Sequence, residues 1–385
     1  MAAQHYHPLE FPEELGGLVP EKIIHCNVWG DIRVDALAMA IIDTWTFQRL
    51  HYLHQTGILY KIFPTAKTSR FEHALGSYCL AKKFLHKLWI TSQEVFVNNA
   101  TIPFYLIPIA ALCRDLGQGP FSNVFDRFLQ SLSSLSSLSS QSSPWMSSEY
   151  RSCCLLQDLI SNLSFPYRIS HDHMTFMKTL MCPNSFEHPN VLPWFRGLVS
   201  DPTGIDFPTF DYVLRDSKSL GIAVSFDLQR ILENMRIIDD TLCFCTRIVD
   251  DMEMFLATRQ RLYKTAYLHP RVRRFEEGII SMFHETMMQD PSFKNAVHEI
   301  LQDRVDPHTF LEWTDVYFLA MWQKTPSWRS LEIRIQPRVE AGEHGKDIIS
   351  SIPSIFQSTT TTTTIHNSRP KYWYHRKRPH LRLDI

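Results

Sequence analysis

The chain lacks an excess of charge of either sign. Thirty-nine Lys and Arg stand against 40 Asp and Glu in 385 residues, so no global field selects nucleic acid or a membrane surface as the main partner, and such binding would need a local patch. It lacks a cysteine framework as well: its eight cysteines are scattered, with one adjacent pair (Cys153, Cys154) and one C-x-C (Cys243, Cys245). That spacing is neither a zinc knuckle nor a disulfide scaffold and predicts reduced, mostly core thiols. The start, MAAQHYHPLEFPEEL, has neither a basic segment nor an apolar h-region, which predicts no secretory leader. The most apolar stretch, TIPFYLIPIAALC, is interrupted by Pro103 and Pro108 and is too short to span a bilayer. The expectation is a soluble intracellular protein of the nucleus or cytoplasm.

What is present is enough apolar material for a sizeable core, 44% hydrophobic and 12% aromatic, read as one large domain. Residues 34 to 56 place apolar groups at helical spacing and stop before Gly57, a residue suited to a helix C-terminal cap. Further helical patterns run from Ala74 to about Ile90 and over 103–114, 121–130, 171–181, 208–219, 227–236, 250–268 and 271–288. Alternating strand patterns are few and short. The predicted architecture is mainly α, a helical bundle with minor short strands.

Two stretches interrupt that organisation. In residues 130–148 leucine recurs every third position among serines, a period that drifts around a helix and builds no stable apolar stripe, so a flexible insertion is expected. From Pro326 the chain turns to Gly, Ser and a run of threonines at 359–364, then RPKYWYHRKRPHLRL. This reads as a disordered tail, with three readings for its basic and aromatic end: a solvated terminus, a nuclear-import signal, or an electrostatic and stacking surface for single-stranded nucleic acid. The expected division is an N-terminal segment 1–21, a domain 22–325 and a tail 326–385.

Five stretches carry the chemistry: KIIHCNVWGDIRV (22–34), IIDTWTFQRLHYLHQTG (41–57), FPTAKTSRFEHALG (63–76), IAALCRDLGQGPFSNVFD (109–126) and FDYVLRDSKSLGI (210–222). In order and spacing they resemble the HD-domain deoxynucleoside triphosphate triphosphohydrolases, most closely the SAM- and HD-domain-containing enzymes of animals. The resemblance runs from about Lys22 to Trp322 and is weakest between 130 and 200. It extends to neither a SAM domain before nor the family's C-terminal lobe after. It implies an HD-domain fold and a site where a histidine, an adjacent His-Asp pair and a distant aspartate hold a divalent ion that activates water and neutralises a triphosphate.

Carried onto this chain, the first histidine is His73 and the aspartate of the pair is Asp115, but the pair's histidine is Arg114 and the distant aspartate falls on Pro208. Arginine has five donors, no lone pair and a permanent charge, so it cannot ligate a cation; proline offers no side-chain ligand. Gln118 and Asn123 stand where the resemblance expects histidines that handle phosphate and protons. Asp206 reads as the cap of a helix that Pro208 opens, and Asp211 falls on another family position. His171-Asp172, the chain's only His-Asp dipeptide, reads as the start of a helix capped by Ser170, with His173 turned away from His171. Arg114 itself has two readings, pairing an orphaned carboxylate in place of the ion or clamping a phosphate.

Other implied positions are kept. Arg70 matches a phosphate-binding position, Gln55 a nucleoside-binding one, and Tyr212 and Asp216 the sugar end of the pocket; a purely structural role for Arg70, Tyr212 and Asp216 stands level with this. Leu268 replaces a base-reading glutamine and Thr56 a leucine under the sugar. Of the family's activating nucleotide site, Asp43, Gln48 and Arg230 match, while His51 replaces an arginine. The reading is a pseudoenzyme that binds a nucleotide, nucleic acid or a protein partner, as a homodimer or in mixed oligomers with an active relative, and needs no cofactor. The alternative is an active divergent triphosphohydrolase of dGTP type, releasing deoxynucleoside and triphosphate with Mg, Mn, Fe or Zn.

Overall fold

The computed structural model describes residues 22–98, 103–135, 143–163, 169–200, 204–303 and 306–335. Among them the elements are helices, apart from two two-stranded antiparallel sheets, so the mainly α expectation is met. The strands Lys22–Cys26 and Gly30–Val34 form one hairpin. Met235–Ile238 and Thr241–Phe244 form the other, through Asp239 and Asp240, both at positive φ, the conformation that a tight hairpin turn demands. The helix expected over 227–236 therefore ends at Glu233, and its last residues enter the second hairpin.

Three helices make the frame of the site. Arg70–Thr91 begins at a capping box: Ser69 accepts from the Glu72 N–H, and Glu72 accepts in return from the Ser69 N–H at 2.8 Å. This satisfies two otherwise orphaned donors and starts the helix a turn before Ala74. Leu106–Cys113 is buried along its whole length. Phe207–Leu220 is capped by Asp206, which accepts from Thr209 N at 2.8 Å, with Pro208 in its first turn and Gly221 at φ +66° closing it. The cap reading of Asp206 is met. Gly76 lets the first and third of these helices touch, since a Cβ there would collide with the Asp211 carboxylate.

The remaining helices build an aromatic core below the site. Phe283 packs edge-on to Phe125, Phe318 and Trp322, with ring centroids 5.0–5.6 Å apart. No helix of the described residues is long and apolar enough to cross a membrane.

Three further expectations need correction. The helix expected over 34–56 is broken into Ala36–Ile42, Trp45–Gln48 and a 3-10 turn Arg49–Tyr52. Thr44, accepting from Phe47 N, caps a new start inside the apolar pattern,. The insertion at 130–148 is ordered at both ends. Asn123–Leu135 is one helix, because Phe125, Phe128, Leu129 and Leu132 give it an apolar stripe ahead of the serines, and Trp145 is buried. Within this stretch, 136–142 lie outside the described residues. The disorder expected from Pro326 does not hold for its first residues: Pro326–Ile335 is a helix whose Trp328 is buried against Phe275. Residues 336–385, including the basic and aromatic segment, lie outside the described residues, as do 1–21.

Candidate functional site

The frame helices, the loops before Arg70 and after Cys113, and the Val249–Leu262 helix with its continuation to Tyr267 enclose a cleft of about 710 Å³. It collects residues far apart in sequence. Gln55, Arg70, Tyr212 and Asp216 all line it, as do His73, Arg114, Gln118, Asn123, Pro208, Thr56 and Leu268. Asp115 sits buried behind Arg70 and His73.

His73 is held from one side. Its Nδ1 lies 2.7 Å from Asp211 Oδ2. That carboxylate is fully buried and also accepts a bidentate pair from Arg215, at 2.8 and 2.9 Å, and the Trp29 indole N–H at 2.5 Å. Burial alone would raise the Asp211 pKa, but Arg215 and His73 outweigh it and hold the group below its usual value. An ionised Asp211 only accepts, so Nδ1 donates to it, and Nε2 faces Asp115 Oδ2 at 3.7 Å,. The residue set aside as a metal ligand thus orients one.

Asp115 is already engaged by guanidinium groups. Arg70 donates to its Oδ2 at 2.6 Å and to Ser122 Oγ at 3.0 Å, and Arg114 stands 3.8 Å from Oδ1. Against the opposing effect of burial, Arg70, His73 and Arg114 push Asp115 down to about 2. The pairing reading of Arg70 is met, and Arg114 reaches Asp115 only at long ion-pair range. Arg114 follows the last residue of Leu106–Cys113, where a cation complements the negative helix end.

These residues do not fit a divalent ion. His73 and Asp115 still face each other, but one Asp115 oxygen is consumed by Arg70, a guanidinium occupies the place of the second imidazole, and Pro208 has only ring carbons. Among the described residues no group of three or more His, Cys, Asp or Glu is placed to hold a metal, where a tight site needs about four ligands.

The other wall is furnished with polar groups. Tyr267 donates to Asp216 Oδ2 at 2.5 Å, and Arg259 Nε donates to the Tyr212 hydroxyl at 2.8 Å. Burial pushes Asp216 up to about 6, against the hydrogen bond from Tyr267. Burial also raises the Tyr212 and Tyr267 hydroxyls. Several buried atoms around this cleft have no hydrogen-bond partner among the described residues: Gln55 Oε1, Thr56 Oγ1, Gln118 Oε1 and Asp216 Oδ1. Unmet acceptors of that kind are costly unless a ligand or water meets them.

Several supports escape a reading of the sequence alone. Arg49 is fully buried and donates to the carbonyls of Leu116, Gln118 and Trp313, while Arg151 donates to the carbonyl of Gly117. Together they clamp the loop after Asp115. Burial, with Arg151 nearby, lowers Arg49 to about 9. Asp315 accepts from Phe121 N at 2.6 Å and His54 N at 2.9 Å, tying two cavity loops together where Phe121 and Ser122 both take positive φ,. Tyr267, Arg259 and Asp315 lie outside every motif; only a burial pattern for polar residues would have pointed to them.

The activator positions are engaged separately. Gln48 Nε2 donates to the carbonyl of Ile42, Asp43 pairs with Lys22 at 3.6 Å, Arg230 pairs with Asp251 at 2.9 Å, and His51 stacks on Phe71. None of them lines the cleft. His171 starts the Ser170-capped helix, as read, and Asp172 pairs with His188, away from the cleft lining.

No family model matches the chain. Among curated proteins it is similar to an HD domain-containing protein of Acanthamoeba polyphaga mimivirus, 30% identical over 76% of this chain and 66% of that protein. It is also similar to the deoxynucleoside triphosphate triphosphohydrolase SAMHD1 homolog of Dictyostelium discoideum, at 31% over 69% of this chain and 49% of that one. Against the deoxynucleoside triphosphate triphosphohydrolase SAMHD1 of Homo sapiens it is 32% identical over 64% of this chain and 42% of that protein. The chain thus spans between two fifths and two thirds of the length of these relatives. With four of the five motifs lining one cleft and the first reaching it through Trp29 on Asp211, this similarity places the chain in the family of HD-domain deoxynucleoside triphosphate triphosphohydrolases and their relatives.

Proposed function

We propose that this protein is a family member whose hydrolytic centre is no longer built and which acts by binding a nucleotide in the cleft. The observation that carries the reading is the engagement of Asp115 by Arg70 at 2.6 Å, with Arg114 at 3.8 Å on its other oxygen: positive charge is already in place where a dication would sit. Arg70, Gln55, Tyr212 and Asp216 are the proposed nucleotide-binding residues, and the unmet acceptors Gln55 Oε1 and Asp216 Oδ1 support a ligand with hydroxyl and amide donors. When bound in an intact family site, the metal supplies an activated water; here His73 is left to orient and the guanidinium groups to hold charge.

A second reading, residual hydrolysis of deoxynucleoside triphosphates, is favoured by the facing pair His73 Nε2 and Asp115 Oδ2 at 3.7 Å. A repair experiment separates the two. In Arg114→His with Pro208→Asp, bound Mn²⁺ is expected to rise from well below one to near one per chain, with measurable release of triphosphate from dGTP. A wild type that already turns over dGTP at the rate of the repaired protein contradicts the first reading.

A further inference from the structure

Among the described residues that line the cleft, Arg114 is a cationic side chain whose buried Nε–H has no hydrogen-bond partner. The guanidinium makes no hydrogen bond to any described residue. Its nearest carboxylate oxygen is 3.8 Å away. Asp206, Asp115 and Glu149 lie close enough to hold its charge and raise its pKa against burial, but their hydrogen bonds go elsewhere: Asp206 accepts from Thr209 N, Glu149 from Ser147 and Ser148, and Asp115 from Arg70. Its Cα is fixed at the end of a helix buried along its length. A planar fork of donors, half-buried, permanently charged and facing a 710 Å³ space, is suited to an oxyanion.

We propose that Arg114 is an anion anchor, standing in for the family's ion in charge though not in chemistry, so that this cleft binds the phosphate groups of a nucleotide without a divalent cation. The inference rests on the nucleotide reading above and deepens it. An intact metal site binds a polyphosphate through the ion, and a chelator strips that ion away. Here the positive charge is covalently attached, and the chelator removes nothing. Bound phosphate would also accept from the Arg114 Nε–H that the described residues leave unmet.

The test is calorimetric titration of the full chain with dGTP and, separately, with inorganic triphosphate, in EDTA and in Mg²⁺. The expected result is an affinity for each probe that changes by less than about threefold between the two conditions. Arg114→Ala is expected to weaken both by about tenfold or more, and Arg114→Lys by less, since a charge-assisted hydrogen bond in a partly buried site has a strength of that size. Circular dichroism melts of both variants check folding, and the lysine variant keeps the test open if the alanine variant unfolds. Binding of dGTP only in Mg²⁺, or equal affinity of a folded Arg114→Ala, overturns the anchor and leaves the nucleotide reading standing. No binding of dGTP by the folded wild type in either condition overturns both.

Discussion

Asp115 and Asp216 are both buried carboxylates, and both feel the charge of His73, yet their surroundings drive them in opposite directions. Asp115 sits among Arg70, His73 and Arg114 and is held down to about 2. Asp216 has a tyrosine hydroxyl on one oxygen and no hydrogen-bond partner among the described residues on the other, and burial pushes it up to about 6. The first is a spent charge, neutralised within the protein. The second carries its charge at neutral pH against the cost of burial, with one oxygen that has no hydrogen-bond partner among the described residues. On the reading proposed here, holding a nucleotide and hydrolysing it would depend on different walls of the cleft, and Arg114 and Pro208 fall on the side of Asp115.

The largest way to break the contrast is to remove the partner of Asp115. Arg70→Ala leaves a buried carboxylate with only His73 at 3.7 Å and Arg114 at 3.8 Å, and breaking a buried pair from one side costs about 3–5 kcal/mol. Urea unfolding should show that loss at neutral pH, and the stability lost between about pH 4 and about pH 2 should shrink, because Asp115 without Arg70 is no longer held so far below its unfolded value,. A loss below about 1 kcal/mol would mean that Asp115 is satisfied by something other than Arg70.

The opposed shifts also predict opposed pH dependences. The folded state holds Asp216 at about 6, above the unfolded value, so folding takes up a proton in between. This group makes the protein less stable as pH rises from about 4 to about 6, and has no further effect above. Asp115, held at about 2, contributes stability above its unfolded value that is lost as pH falls from about 4 towards about 2. Asp216→Asn should abolish the first slope and raise stability at neutral pH by up to about 3 kcal/mol, while leaving the acid limb in place. An unchanged slope between about pH 4 and about pH 6 would assign it to another group.

A smaller effect is expected where the frame helices meet. Gly76→Ala would drive a methyl into the Asp211 carboxylate, and overpacking of this kind costs about 2 kcal/mol. Because Asp211 orients His73, the substitution should also shift the His73 ring resonances in an NMR spectrum. Unperturbed His73 signals would show that the helices can part without moving the histidine.

How far the sequence foretells this molecule differs between its parts. The helix 171–181 is legible to the residue, since Ser170 marks its start and an apolar stripe follows. The break at Thr44 is hidden, because a capping threonine inside an apolar pattern looks like any surface position. The buried helix at 326–335 is masked by a composition change that begins only after it, and its anchor is the single Trp328. In the site, the motif residues are legible because their spacing matches a known pattern: Arg70, Gln55, Tyr212 and Asp216 line one cleft. Arg49, Arg151 and Asp315 are not, because their role is to bind backbone carbonyls and N–H groups far away in the chain, and no local pattern records a tertiary interaction of that kind.

The central claim is that positive side chains have displaced the metal from this site, and its most direct test is elemental analysis of the purified full chain after equilibration with excess Mn²⁺ and desalting, read together with triphosphate release from dGTP. The account predicts far less than one metal per chain and no triphosphate above background. One tightly held ion per chain, lost on His73→Ala and accompanied by turnover, would contradict it.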